Sequence, residues 1–466
     1  MKYFTREMRG KPYLVIEVDE HSADVGAITR CEAFLDSIRN ARQTQAPRPP
    51  SPMAHVQRYR RDRVIYVPFM DDHYRPLAAA MRYHGVEAVP MPPSDQESVD
   101  VGRQFTTGKE CFPCIVTTGD IVRTVRSRDF DPRRSAIFMP SAMGPCRFGQ
   151  YSKFHRMVLD ELGFEDVPIV ELDQASTDGY YGDLGTLGPR FRKLAWNGLV
   201  LVDLLQKVTR QTRPYEKTKG DCDSLYEYYL GRIESAVERG DDLLPLAREI
   251  VEAFSSVATD RSERKPRIGI VGEIYVRCNP TCNNSLVRKL EALGVEVCLP
   301  PLEEWIDYIA RERKTDCLAA RDYLGYLTEV ATGFCQEREL RRLTRPFKKV
   351  IRDFLYEADT DEVVELARPY LDFAIRGEAV LSMGRAVEYA RHGFNGVVNV
   401  IPFNCMPGTI VEALLERYRL FHPDIPILKM AYDGFDHVGE DTRIEAFVYQ
   451  AQQHAERAAA KGTATT

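Results

Sequence analysis

The sequence predicts an α/β protein with two parallel-sheet domains joined by a helical connector. Three observations lead there. The 466-residue length exceeds what one hydrophobic core usually supports. Short β-branched apolar runs alternate with helical stretches in two separate series, the rhythm of parallel sheets. Between the series lies a charge-rich, helix-forming stretch over 216–264.

Taken in order, residues 14–19 read as a short strand and 26–40 as a helix, both in an N-terminal segment 1–40. A linker, 41–62, carries Pro47, Pro49, Pro50 and Pro52 and then Arg58, Arg60 and Arg61, a composition for extended chain. The first domain, 63–215, opens with the apolar run 63–68, a helix over 74–84 and a strand near 87–89. Further strands fall at 136–139 and 168–172, and a helix at 190–210 shows Leu194, Leu201, Leu205 and Val208 on one face. The second domain, 265–455, has strands at 266–272, 295–299, 396–401 and 426–430, a helix at 284–293 and mostly helix over 302–375. The two halves share a rhythm, so a duplicated architecture is expected. The Ala/Thr/Lys-rich tail, 456–466, is expected to be disordered.

Bulk composition excludes several classes. A net charge of −6 gives no reason to expect a nucleic-acid or membrane-surface partner. No apolar run approaches the roughly 20 residues of a membrane span, and the first residues lack a signal-peptide core. A cytoplasmic protein is expected. Eleven cysteines, an odd count, in a reducing compartment argue against disulfides.

The cysteines carry the chemistry. Cys111-Phe112-Pro113-Cys114 follows Gly108; Cys146 follows Gly144-Pro145; Cys405 precedes Met406-Pro407-Gly408. Turns at Pro and Gly direct thiols away from a core, and several thiols brought together make a soft-metal site, with iron–sulfur the leading reading. Ligands of open parallel sheets gather at the carboxyl ends of strands. Cys146, Cys278 and Cys405 all lie just past expected strands. Cys111 and Cys114 open an expected helix over 115–125, whose positive end favours thiolate. Cys298, inside an apolar strand, reads as core. Cys31, Cys222, Cys317 and Cys335 read as structural or incidental. Cys111-x2-Cys114 joined to Cys278-x3-Cys282 would suit structural zinc. The wide separation of Cys111, Cys114, Cys146 and Cys405 favours a cluster held between the domains.

Other motifs are weaker. The 102–109 segment has five residues between its glycines and Glu110 where a phosphate loop needs Ser or Thr, so it is not one. No dinucleotide fingerprint follows a strand, and no nucleophile elbow occurs. Glu303-Glu304-Trp305 and Tyr432-Asp433-Gly434 read as pocket lining or, more plainly, as a helix start and a turn.

Several long segments together resemble the 2-hydroxyacyl-CoA dehydratase superfamily, in its branch of double-cubane cluster proteins and the dehydratase-like portion of activase-related proteins. They are residues 17–24, 29–34, 108–120, 144–151, 272–277, 402–409 and 443–447. The resemblance implies two cluster-binding α/β domains and oxygen-sensitive iron–sulfur chemistry. For one 4Fe-4S cubane it implies one thiol of the Cys111/Cys114 pair, Cys146 and Cys405. For two cubanes joined by sulfide it implies six cysteines: Cys111, Cys114, Cys146, Cys278, Cys405 and a sixth, Cys282 or Cys335. It further implies a low-potential electron delivered by a separate ATP-hydrolysing activase, further subunits in a homo- or hetero-oligomer, and a reductive or dehydrating reaction on a small-molecule or acyl-CoA substrate. The first forty residues match a segment upstream in fused relatives, which points to a split-gene component. Arg147 and Arg277 are the catalytic candidates, as groups that tune cluster charge or grip an anionic substrate. The alternatives are a non-catalytic electron relay or scaffold within an activase complex, and a zinc-stabilised binding protein.

Overall fold

The computed structural model describes residues 13, 14, 16, 24–41, 62–142, 144–172, 182–351, 358–435 and 438–463. Most of the expected 14–19 strand, the 17–23 part of the family-like segments and residues 42–61 of the linker lie outside them. After α1 (Asp24–Ala41), the first half runs β1 (Val64–Val67), α2 (Tyr74–Tyr83), β2 (Ala88–Pro90), α3 (Gln96–Phe105), α4 (Phe112–Val125), β3 (Ser135–Pro140), α5 (Tyr151–Glu161) and β4 (Ile169–Leu172). Helices α6 (Gly188–Thr212), α7 (Asp221–Arg239) and α8 (Leu244–Ser256) follow. The second half runs β5 (Arg267–Gly272), α9 (Ile274–Cys278), α10 (Leu286–Ala292), β6 (Glu296–Cys298), α11 (Leu302–Ala319), α12 (Tyr323–Phe347), α13 (Thr360–Ala367), α14 (Glu378–Arg391), β7 (Gly396–Pro402), α15 (Met406–Phe421), β8 (Ile427–Tyr432) and α16 (Glu440–Thr463).

Two four-stranded sheets result, ordered β2-β1-β3-β4 and β6-β5-β7-β8, with every pair parallel. The central strands β3 and β7 are almost entirely buried, which accounts for their mostly apolar sequences, with Asn399 the polar residue inside β7. The orders are the same when counted from each half's first strand. Each sheet therefore reverses its winding between its two central strands, where the crevice at the strand carboxyl ends opens.

The likeness extends to the helices before the third strand of each half. Asp95 caps α3 by accepting the Ser98 N–H at 3.0 Å, and Asp359 caps α13 by accepting the Glu362 N–H at 2.9 Å. In each hairpin, glycine lets two helix backbones touch. A Cβ on Gly102 would stand 1.9 Å from the Ile115 carbonyl oxygen, and one on Gly384 would stand 2.1 Å from that of Val363. Gly102 thus serves the α3–α4 crossing, a packing role that the failed phosphate-loop reading of 102–109 leaves open.

The halves are interlocked. Ile65 and Val67 of β1 share one core with Leu201 and Leu205 of α6, Ile233 of α7 and Ile250 of α8. The expected connector is helical as read, yet it builds the first half's core and is no spacer. Leu343 and Phe347 of α12 enter that same core from the second half. In the other direction, Val99 of α3 and Phe112, Ile115 and Val116 of α4 pack with Ile268 and Val398 of the second sheet. Each such buried side chain contributes about 1.5–3 kcal/mol. The exchange fixes how the two carboxyl edges face each other.

Disorder was expected from residue 456, but α16 continues to Thr463. Ile444, Phe447, Val448 and Ala451 anchor its first turns in the second core, and the alanine-rich remainder is good helix former. Among the described residues no helix is long and apolar enough to cross a membrane.

Candidate functional site

Four thiols come together from both halves. Cys111 is the N-cap of α4 and Cys114 lies in its first turn. Cys146, past β3, caps a 3-10 turn, Arg147–Gln150, that leads into α5; its Sγ accepts the Phe148 N–H at 3.5 Å. Cys405, past β7, is the N-cap of α15. Cys111 and Cys405 share one local design: the cap is followed by any residue and then proline, whose missing N–H costs little in a first turn. The thiols act on one another electrostatically, Cys111 on Cys114 and Cys146, and Cys146 on Cys405.

Cys111, Cys114 and Cys405 are buried and Cys146 is half-buried, where outward-pointing turns were expected. Cys111, Cys114, Met139 and Tyr151 form a small apolar cluster. Cys405 is 5% exposed although its neighbours Phe403 and Met406 lie largely in solvent. Helix N-termini were expected to favour thiolate. Instead burial pushes the Cys111, Cys114 and Cys405 thiols up, and that of Cys146 to about 12. Desolvation outweighs the helix ends because several like charges share one dry place. The group is stable as neutral thiols or with a compensating cation. Among the described residues no three Cys, His, Asp or Glu side chains stand close enough to hold one metal ion.

The other candidates fall elsewhere. Cys278 ends α9 facing Asp71, Arg277 and Arg210, and burial raises it to about 12. Cys282 is 1% exposed in the second core, with Glu273 and Asp120 as its charged neighbours. Cys335 is exposed on α12, whose packing partners α6, α8 and α11 carry none of the four grouped thiols. Cys222 packs in the first core, as expected of a structural cysteine, and Cys298 in β6 is half-buried near the Tyr389 hydroxyl. Arg147 is exposed; it donates to the Lys109 carbonyl at 2.7 Å, with its charge beside Cys111. Arg277 is buried, its Nε without a hydrogen-bond partner, and faces Cys278, Glu378 and Glu304.

Residues that the sequence reading gave no role complete the site. Glu273, directly after β5, accepts the Val276 N–H at 2.8 Å and acts on Cys111, Cys146 and Cys405. Glu378 opens α14 and acts on Cys146 and Cys405. Burial raises both carboxyls; for Glu378, the charge of Glu273 adds to it. The Tyr151 hydroxyl feels Cys111, Cys114 and Cys146. Glu273 was findable, since it lies at a strand carboxyl end as the thiols do. Nothing local marks Glu378.

A cavity of about 230 Å³ opens beside this group. Its wall includes Cys146, Glu273 and Glu378 together with Trp305, the one residue of the 303–305 helix start that lines it. Asp433-Gly434, by contrast, forms a turn against α3: Arg103 donates to the Asp433 carbonyl at 3.0 Å, and Gly434 lies against Phe112. On the far wall stands His73. Its Nε2 is hydrogen-bonded to Asp203 Oδ1 at 2.9 Å, and its Nδ1 lies 2.9 Å from Asp71 Oδ2. Burial alone would lower the His73 pKa; the Asp203 and Asp71 carboxylates instead raise it to about 10, so it is an imidazolium. Asp203 also accepts the N–H groups of Leu302 and Glu303 at the start of α11, and so ties the halves together. A scan of protein-family models and a search of curated proteins return no match to the chain.

Proposed function

We propose that the chain is an iron–sulfur protein of the 2-hydroxyacyl-CoA dehydratase type. It receives low-potential electrons from a separate ATP-hydrolysing activase and reduces or dehydrates a small-molecule or acyl-CoA substrate. The observation that carries this reading is the meeting of Cys111, Cys114 and Cys146 with Cys405 across the two sheet edges.

Donor chemistry and spread both support it. A tetrahedral ion needs all its sulfurs within about 2.3 Å of one point. A cubane is wider and takes its thiolates from around its corners, which suits thiols that sense each other without touching. Such a cluster, when bound, supplies an electron at low potential. The chain's own residues do the rest. Met139 and Tyr151 keep water from the sulfurs, and Arg147 brings positive charge to Cys111. Burial favours the protonated forms of Glu273 and Glu378 beside the thiols, and Arg277 offers a cation for an anionic group. The adjoining cavity favours turnover over a pure electron relay.

The test is iron and acid-labile sulfide per chain after purification without oxygen. About four irons indicate one cubane and about eight indicate two. Zinc without iron, or neither metal, sinks the proposal.

A further inference from the structure

The cavity itself constrains what can enter it. Its wall is mostly hydrocarbon: Leu77, Phe138, Phe191, Leu199, Ile274 and Trp305 face it from both halves. A buried space of about 150 Å³ takes a benzene ring, so about 230 Å³ takes up to about nine non-hydrogen atoms. The charges on its wall are already answered. The imidazolium of His73 sits between the Asp71 and Asp203 carboxylates, which leaves that cluster with a surplus of negative charge. Arg192, also on the wall, is engaged in an interaction of its own. An anion would have to shed its water against hydrocarbon and surplus negative charge, a steep cost.

One residue on this wall, Glu378, carries a polar atom that asks for a partner. Glu378 Oε1 is buried and makes no hydrogen bond among the described residues. It stands beside Cys146 and Glu273 on the same wall. A buried oxygen left unpaired carries a desolvation cost that a hydrogen-bonding partner would remove.

We propose that this cavity holds the substrate, or its reacting end, as an uncharged group of up to about nine non-hydrogen atoms, with an apolar body and one hydrogen-bonding head set on Glu378. Its role in turnover rests on the function proposed above; its binding does not. An amide head satisfies Glu378 in either protonation state, because it both donates and accepts.

Pentanamide is therefore the probe, with pentanoate as its charged isostere. Ligand-observed NMR on the full chain, purified without oxygen, reads binding, and iron is assayed on the same samples. Pentanamide is expected to bind in roughly the millimolar range and pentanoate at least about tenfold more weakly. Ala195→Phe, which fills the cavity from α6, is expected to abolish pentanamide binding, and Glu378→Ala to weaken it about tenfold. Equal binding of the two probes, no pentanamide binding, or binding indifferent to both substitutions overturns the proposal. If Ala195→Phe does not fold, the probe pair and Glu378→Ala still decide. Iron without pentanamide binding removes the cavity reading alone; pentanamide binding without iron removes the iron–sulfur reading alone.

Discussion

At the carboxyl edge of the first sheet, three places face the site: after β1, before α4 and after β3. They hold Asp71 with His73, Cys111 with Cys114, and Cys146. In the second sheet the corresponding places hold Glu273, Gly377 with Glu378, and Cys405. The winding, the glycine-bearing helix crossings and the aspartate caps are shared. The last place keeps a helix-capping thiol in both halves. The middle place carries two thiols in the first half and a carboxyl in the second. One frame thus presents three thiols from one side and one thiol with two acids from the other. The difference teaches that, in the proposed iron–sulfur reading, the first half would supply three of the four thiols and the second would bring the fourth with two acids beside it.

That division breaks most sharply at the matched thiols. Cys146→Ala and Cys405→Ala are each expected to drop iron from about four per chain to well below one, while Glu378→Gln keeps most of it. If Cys405→Ala retains full iron, the second half is no part of the centre.

The next largest effect concerns what joins the halves. Asp203→Asn leaves the buried His73 imidazolium with one carboxylate and is expected to cost about 3–5 kcal/mol in denaturant unfolding. The folded pKa of His73, about 10, lies above its ordinary 6.5. Its contribution to stability is therefore complete below about pH 6.5 and is lost as pH rises through about 10. His73→Phe should flatten unfolding free energy across that alkaline range, and an unchanged slope would place the clasp elsewhere.

Smaller effects sharpen the likeness of the frames. Gly102→Ala and Gly384→Ala each force a Cβ onto a carbonyl oxygen, at 1.9 and 2.1 Å. Each is expected to cost about 1–3 kcal/mol, read as paired losses of thermal stability. A loss at one position only would show that the second crossing is looser than the first. The smallest effect belongs to Cys335→Ser: exposed on its face of α12, it should leave iron content unchanged, and a drop would restore it as the sixth ligand.

The frame was legible because its signals are local. The eight strands among the described residues coincide with short apolar runs, and their parallel pairing follows from the helices between them. Cys111, Cys114, Cys146 and Cys405 were legible because caps, Pro and Gly mark the turns at strand ends. Glu378 was not, since an acid at a helix start is ordinary and the loop before it says nothing of where the helix is aimed. His73 was not, because only packing brings Asp203, far along the chain, against it.

Sequence alone therefore determined the two series of alternating strands and helices, the helical stretch between them and the turns on which the thiols sit, since each depends on neighbours a few residues apart. Tertiary structure decided that the halves exchange α3–α4 and α12, that three of the four thiols are buried, and that two acids and a cavity share their space. Desolvation and charge depend on distance in space, and chain order carries no record of that distance until the two sheets meet.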